Sequence, residues 1–343
     1  MSNTAAPTRP TLGIHHVTAI ASDPQANMDF YAGLLGLRLV KRTVNFDDPG
    51  SYHFYFGDSH GSPGSLLTFF PWPGARPGVV GAGQVTATAF GVPPGSLARW
   101  QRRLASIARI NAESFARHST SGLTFRDHDG MVIELIEDPH APEATPIPGV
   151  HALDPSIAIR RIMGITITVR SHRDTCETFA AMGMIPAHTT GNRTRLTFAA
   201  SPSPSPQPTT STTSTTPTSA GSFIDIITDD AAPAGKSGAG VVHHVALRAA
   251  DLSHQDSLRI ALASRSLAST PVQERSYFRS IYSRERGGVL IEVATDAPGF
   301  AIDEPIESLG QSLRLPPGLE RARQQIESAL PPVTVRTPTP EQV

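Results

Sequence analysis

The chain has 343 residues, 39% of them hydrophobic, with 29 basic and 30 acidic side chains and a single cysteine. That length fits two domains or one domain of repeated units, and the near-zero charge, with no basic stripe, excludes nucleic acid as the expected partner. Apolar runs fall short of a membrane span, the N-terminus lacks a signal-like apolar core, and one cysteine allows no internal disulfide, so a soluble cytoplasmic protein is expected.

Residues 1–10 are small and polar and are expected to be unfolded. "GIHHVTAIASDP" then alternates as a strand and meets a helix start, with Asp23 able to cap and Pro24 in the first turn. Met28, Tyr31, Leu34 and Leu35 share a helical face, and Gly36 ends it. "LRLVKRTVNF", "YHFYFGD" and "GSLLTFFPW" read as three strands, which completes a βαβββ unit.

The pattern recurs. A second unit runs from "GQVTATAFGVP" through a helix near "GSLARWQRRLASI" to "GMVIELIEDP". A third runs from "RIMGITITVRS" through "DTCETFAAMG" to "GSFIDIITDD", and a fourth from "GVVHHVALRAADL" through "SHQDSLRIALAS" to "GGVLIEVATDAPGF". Four βαβββ modules predict an α+β protein of two domains, residues 11–150 and 158–310. The Ser/Thr/Pro stretch at 201–220 reads as a disordered insert between two strands of the third module, 311–330 as a C-terminal helix, and 331–343 as a disordered tail.

Corresponding positions of the modules can be compared within the one chain. The opening-strand position of His16 holds about Thr86, Gly164 and His244 in the other units. The closing-strand position of Glu292 holds about Thr68, Glu134 and Asp225. Singly, a His-His pair or a Glu in an amphipathic strand is more often structural than functional. Together, His16, His244 and Glu292 form the two-imidazole, one-carboxylate set of a non-haem Fe(II) centre with open positions, with Mn(II) and zinc also chemically suitable. Thr68, in the remaining position, is a poor ligand. Glu292 lies in the apolar run "VLIEV", where an unpaired buried carboxylate would cost several kcal/mol. Glu134, without histidine partners, reads as structural or as the relic of a second site.

These features resemble the vicinal oxygen chelate superfamily, whose fold is paired βαβββ modules. Within it the chain resembles the ring-cleaving dioxygenases that open hydroquinones. The stretches that carry the likeness include "HHVTAIASDPQANMDFYAGLLGLRLVKRTVNFDD", "RSYFRSIYSRERGGVLIEVATDAPGF" and "DEPIESLGQSLRLPP". The resemblance implies iron held by His16, His244 and Glu292, and a substrate pocket lined by Thr18, His15, His243, Arg275 and Tyr282. It also implies an extradiol-type reaction of a small aromatic substrate with O2, with Arg275 stabilising charge, Tyr282 donating a proton or hydrogen bond, and His243 or His15 accepting the substrate proton. Strand alternation places Thr18 on the face of His16, but His15 and His243 on the opposite face unless the strand carries a bulge. The other readings are a glyoxalase-like lyase or isomerase, which would need a second carboxylate where Thr68 stands, and a metal-free binding module of resistance type. The sequence leaves the oligomeric state open, a homo-oligomer included.

Overall fold

The structure is a computed structural model, and it describes residues 9–117, 120–144, 147, 153–199 and 221–336. The first module comprises β1 (Ile14–Ala21), α1 (Pro24–Met28), β2 (Arg38–Asn45), β3 (Asp48–Gly57) and β4 (Leu66–Pro71). As the sequence suggests, the Asp23 carboxylate caps α1 by accepting from the backbone N–H of Gln25 and Ala26. The helix then widens into a π-helical stretch, Asp29–Leu34, and Gly36 breaks it at φ +67.

The second module comprises β5 (Gln84–Val92), α2 (Leu97–Ala108), β6 (Glu113–Arg117), β7 (Thr120–Arg126) and β8 (Val132–Glu137). The third comprises β9 (Arg161–Val169), α3 (Arg173–Ala181), β10 (Met184–Thr190), β11 (Arg193–Phe198) and β12 (Phe223–Thr228). The fourth comprises β13 (Val242–Ala249), α4 (Leu252–Ser264), the short β14 (Gln273–Glu274), β15 (Arg279–Arg284) and β16 (Leu290–Thr295). A 3-10 turn at Pro317–Ala322 and the short α5 (Arg323–Ala329) follow, where one helix over 311–330 was expected.

The strands form two eight-stranded sheets, in the orders β14-β15-β16-β13-β1-β4-β3-β2 and β10-β11-β12-β9-β5-β8-β7-β6. The first sheet joins the first and fourth modules through the antiparallel pair β1–β13, and the second joins the middle modules through β5–β9. Each sheet therefore draws one module from each half of the chain.

The sheets are cross-tied by hairpin turns. Asp127, between β7 and β8, accepts a hydrogen bond from the Tyr31 hydroxyl at 2.8 Å, and Glu285, between β15 and β16, accepts one from Thr175 at 2.8 Å. Burial and the nearby Asp127 raise the pKa of Tyr31, so its phenol remains a donor. The apolar faces of both sheets and of their helices, with Trp100, Phe179 and Leu258 buried, merge into one large core.

The insert at 201–220 and residues 1–8 and 337–343 lie outside the described residues. At both ends order extends further than composition suggests. The Pro10 carbonyl contacts His254 Nε2 at 3.1 Å, the Pro331 carbonyl accepts from the Tyr52 hydroxyl, and Thr334 is bonded through its backbone to the Gln25 amide. Composition missed these ties because backbone groups make them.

Candidate metal centre and cavity

The β1–β13 seam carries two bulges. Ile14 pairs with Leu247 and His16 with Ala246, which leaves His15 as the extra residue; Thr18 pairs with His244 and Ala19 with Val242, which leaves His243 extra. A bulge breaks the alternation of side chains that a regular strand enforces. Each first histidine therefore stays beside the second. The Nδ1 atoms of His15 and His16 lie 2.9 Å apart, and those of His243 and His244 2.8 Å apart.

With Nδ1 engaged, the Nε2 atoms of His16 and His244 converge on the Glu292 carboxylate, at 3.3 and 2.8 Å from Oε2. Glu292 arrives through β16, which pairs with β13 in parallel so that Ala246 faces Glu292. Its ligand atoms and those of the two imidazoles lie within 4.8 Å of one another, and all three residues are buried. Burial pushes the Glu292 pKa up, but His16 and His244 outweigh it and hold the carboxyl well below its ordinary value. Its other oxygen accepts from the Ser280 hydroxyl on β15. Among the described residues the two imidazole nitrogens are what Oε2 faces, and neither meets it in hydrogen-bond geometry. A buried anion facing two imidazole nitrogens whose far sides are already bonded is the donor set a divalent transition metal takes.

The second sheet has the same bulged seam without the chemistry. Its register puts Ala87 and Gly164 where the first sheet has His16 and His244. This corrects Thr86 to Ala87, because the bulge between Val85 and Ala87 leaves Thr86 as the extra residue. Arginines satisfy both of its carboxylates. Arg195 grips Asp225 with two bonds of 2.7 and 2.8 Å, Arg193 adds a third at 2.9 Å, and Arg117 pairs with Glu134. The guanidiniums of Arg195 and Arg117 stack on Phe223 and Phe115. Glu134 is thus paired with arginine, in keeping with the structural reading of the two that the sequence left open.

A cavity of about 150 Å³ opens over His16, His244 and Glu292. Phe46, Phe70, Trp72 and Phe278 supply apolar walls, and Thr18, His243, Arg275 and Tyr282 line it as well. Tyr282 lies beside Glu292 in the β15–β16 register, and Arg275 Nε donates to its hydroxyl at 3.2 Å. Burial raises the Tyr282 pKa and keeps the phenol protonated. His15 does not line the cavity: it is 2% exposed and packs its ring against Phe278 with centroids 5.1 Å apart. Burial lowers the pKa of both extra histidines, that of His243 to about 4 with help from His244 and Arg284, so both rings are neutral at pH 7.

Sequence reasoning missed Ser280 and the pair His53 and Tyr55, which line the cavity from β3. The i, i+2 spacing in "YHFYF" was the available signal, since it puts both on one strand face. It also missed how the "DEPIESLGQSLRLPP" segment is secured. Buried Lys41 on β2 bonds Asp303 at 2.6 Å, Glu304, and the Phe300 carbonyl at 3.2 Å. Phe300 in turn stacks on Tyr277 and meets Tyr55. Gly310, at φ +78, lies so close to β2 that a Cβ would sit 2.0 Å from the Leu39 carbonyl oxygen.

A family model described as "Glyoxalase/Bleomycin resistance protein/Dioxygenase superfamily" matches residues 13–135. The chain is 41% identical over 329 residues to "Putative ring-cleaving dioxygenase MhqO" of Bacillus subtilis (strain 168), covering 95% of this chain and 98% of that one. The chain belongs to this superfamily. It is also 30% identical over 322 residues to the chlorohydroquinone/hydroquinone 1,2-dioxygenase of Sphingobium indicum, covering 92% and 94%. Among solved structures, a Bacillus subtilis chain named "putative dioxygenase" superposes with a TM-score of 0.86 at 40% identity, covering 96% of this chain and all of that one. These relatives support a dioxygenase on the vicinal oxygen chelate fold that the four modules predicted. Among the described residues no helix is long and apolar enough to cross a membrane.

Proposed function

We propose that this chain is an Fe(II)-dependent, extradiol-type dioxygenase that opens a hydroquinone or a related dihydroxylated aromatic ring with O2. The observation that carries this reading is the convergence of His16, His244 and Glu292 at the floor of an aromatic-walled cavity. Two imidazoles and one carboxylate leave coordination positions open, and iron(II) held there supplies a Lewis-acidic redox centre that brings an aromatic hydroxyl and O2 together.

The remaining groups act on the substrate. Phe46, Phe70, Trp72 and Phe278 hold the ring and exclude water. Arg275 stabilises the negative charge that develops on ring oxygens, and the Tyr282 phenol donates a hydrogen bond or proton beside Glu292. His243 faces the cavity and is assigned the hydroxyl proton, whereas His15 serves to orient His16. A catechol can present two adjacent oxygens to a metal, but a para-hydroquinone can present only one, so protein groups such as Arg275 must hold its ring. Thr68 stands where a glyoxalase-like lyase would need a second carboxylate, which favours the dioxygenase reading.

The test is iron analysis followed by oxygen uptake after anaerobic loading with Fe(II). Para-hydroquinones are expected to turn over faster than catechol, and Arg275→Ala to lower kcat/KM by ~10²-fold with iron retained. Faster turnover of catechol than of every para-hydroquinone would reject the substrate assignment.

A further inference from the structure

His53 belongs to a hydrogen-bonded chain that crosses one wall of the cavity. Thr18 Oγ1 lies 2.9 Å from Thr68 Oγ1, which lies 3.0 Å from His53 Nε2, and His53 Nδ1 lies 3.0 Å from the Tyr55 hydroxyl. Thr18 on β1 and Thr68 on β4 are wholly buried and directly paired in register. Thr18 also faces His244 across the β1–β13 seam.

These four groups carry four hydrogens, three on hydroxyls and one on a neutral imidazole. Burial, reinforced by His16 and His244, holds the His53 pKa well below its ordinary value, so its ring has one N–H. Three bonds join the four groups, which leaves one hydrogen over. A chain of one polarity leaves it at an end: on Tyr55 or on Thr18.

Chemistry decides between the ends. A phenol is a stronger acid than an aliphatic alcohol, and its oxygen, conjugated with the ring, is the poorer acceptor. Imidazole nitrogen is the strongest acceptor present. Burial raises the Tyr55 pKa far above the usual phenol value, so the proton is there to donate. Tyr55 therefore donates to Nδ1, His53 donates from Nε2 to Thr68, and Thr68 donates to Thr18. The surplus hydrogen is on the Thr18 hydroxyl, which lines the cavity.

We propose that His53 is a positioning residue: by fixing the polarity of the Thr68–Thr18 pair it turns the Thr18 hydroxyl into a hydrogen-bond donor toward a substrate oxygen in the cavity. The inference rests on the reading of that cavity as the seat of a hydroxylated aromatic ring. It also explains why a threonine stands where the fourth module has Glu292: an ionised carboxylate cannot pass a hydrogen bond onward.

The test uses zinc-loaded full-length protein, which is diamagnetic and carries out no oxygen chemistry. Nitrogen-15 correlation spectra of the imidazoles should show the His53 proton on Nε2; a proton on Nδ1 would overturn the proposal. Two variants split the chain. His53→Gln keeps an amide N–H where Nε2 stood and so still reaches Thr68, whereas His53→Asn replaces only Nδ1 and reaches Tyr55. Under nitrogen, His53→Asn should weaken hydroquinone binding by about tenfold and His53→Gln by less than threefold, the size of one hydrogen bond. Equal weakening by the two would mean that His53 only fills space, and overturns the proposal. Metal content should stay at the wild-type value in both. Absence of oxygen uptake by the iron-loaded wild type would reject the proposed function, while the tautomer and binding measurements would still judge His53.

Discussion

Replacing Lys41 by Met tests whether the C-terminal segment is held by buried charge. The Lys41 side chain is fully buried, as is Glu304, and its ammonium bonds Asp303, Glu304 and the Phe300 carbonyl while lying 4.8 Å above the Tyr277 ring. Met matches the length of the stem but leaves Glu304 with two long contacts, the Gly310 backbone N–H 3.4 Å from Oε2 and Arg314 3.4 Å from its other oxygen. Stranding one partner of a buried pair costs ~3–5 kcal/mol. In a chain of this size each kcal/mol moves the midpoint by ~1.5 °C, so Lys41→Met should lower it by ~5–8 °C in thermal unfolding followed by circular dichroism. Glu304→Gln in the same background removes the stranded charge and should recover at least half of the loss. A fall below ~1 kcal/mol in Lys41→Met, or no recovery in the double variant, would refute the argument that this buried pair secures the segment.

His16→Ala, His244→Ala and Glu292→Ala should each abolish stoichiometric metal binding, measured by elemental analysis after desalting, whereas Glu134→Gln should leave it unchanged because Arg117 and not a metal faces Glu134. Ser280→Ala removes the donor to the second oxygen of Glu292 and should raise the metal dissociation constant by ~10–100-fold in a chelator competition, with full loading still reached at excess metal. Tyr31→Phe deletes the tie to Asp127 and should cost ~1 kcal/mol in urea unfolding, read as a lower midpoint at unchanged slope; an unchanged midpoint would mean that the tie contributes nothing net.

The three convergent residues were legible because the repeats align them: two His-His pairs open two of the strands, and Glu292 interrupts an apolar run. A bulge stood only as one alternative for placing His15 and His243, since "GIHHVTAI" reads as a regular strand, and the partner register is what shows that His15 is the extra residue. The same blindness shifted Thr86 onto Ala87. His53 escaped notice because the threonines its chain reaches, Thr68 directly and Thr18 beyond it, come from two other strands, so only the i, i+2 spacing to Tyr55 leaves a trace in the sequence. The arginines that neutralise Glu134 and Asp225 lie across hairpins, where sequence spacing says little about contact. The modules themselves showed clearly, but that the outer two share one sheet and the inner two another comes from the structure, since two domains divided in chain order were expected.

That nested pairing has a consequence for how the protein comes into being. His16 emerges from the ribosome before the middle modules, while His244 and Glu292 emerge more than two hundred residues later. The middle modules can pair with each other while β1 still lacks its neighbour β13. The outer sheet closes last, over a long loop whose entropic cost grows only slowly with length. A nascent chain stalled before the fourth module holds one imidazole of the set and no carboxylate partner for it. Assembly of the His16, His244 and Glu292 set is therefore a late event, which waits for the fourth module.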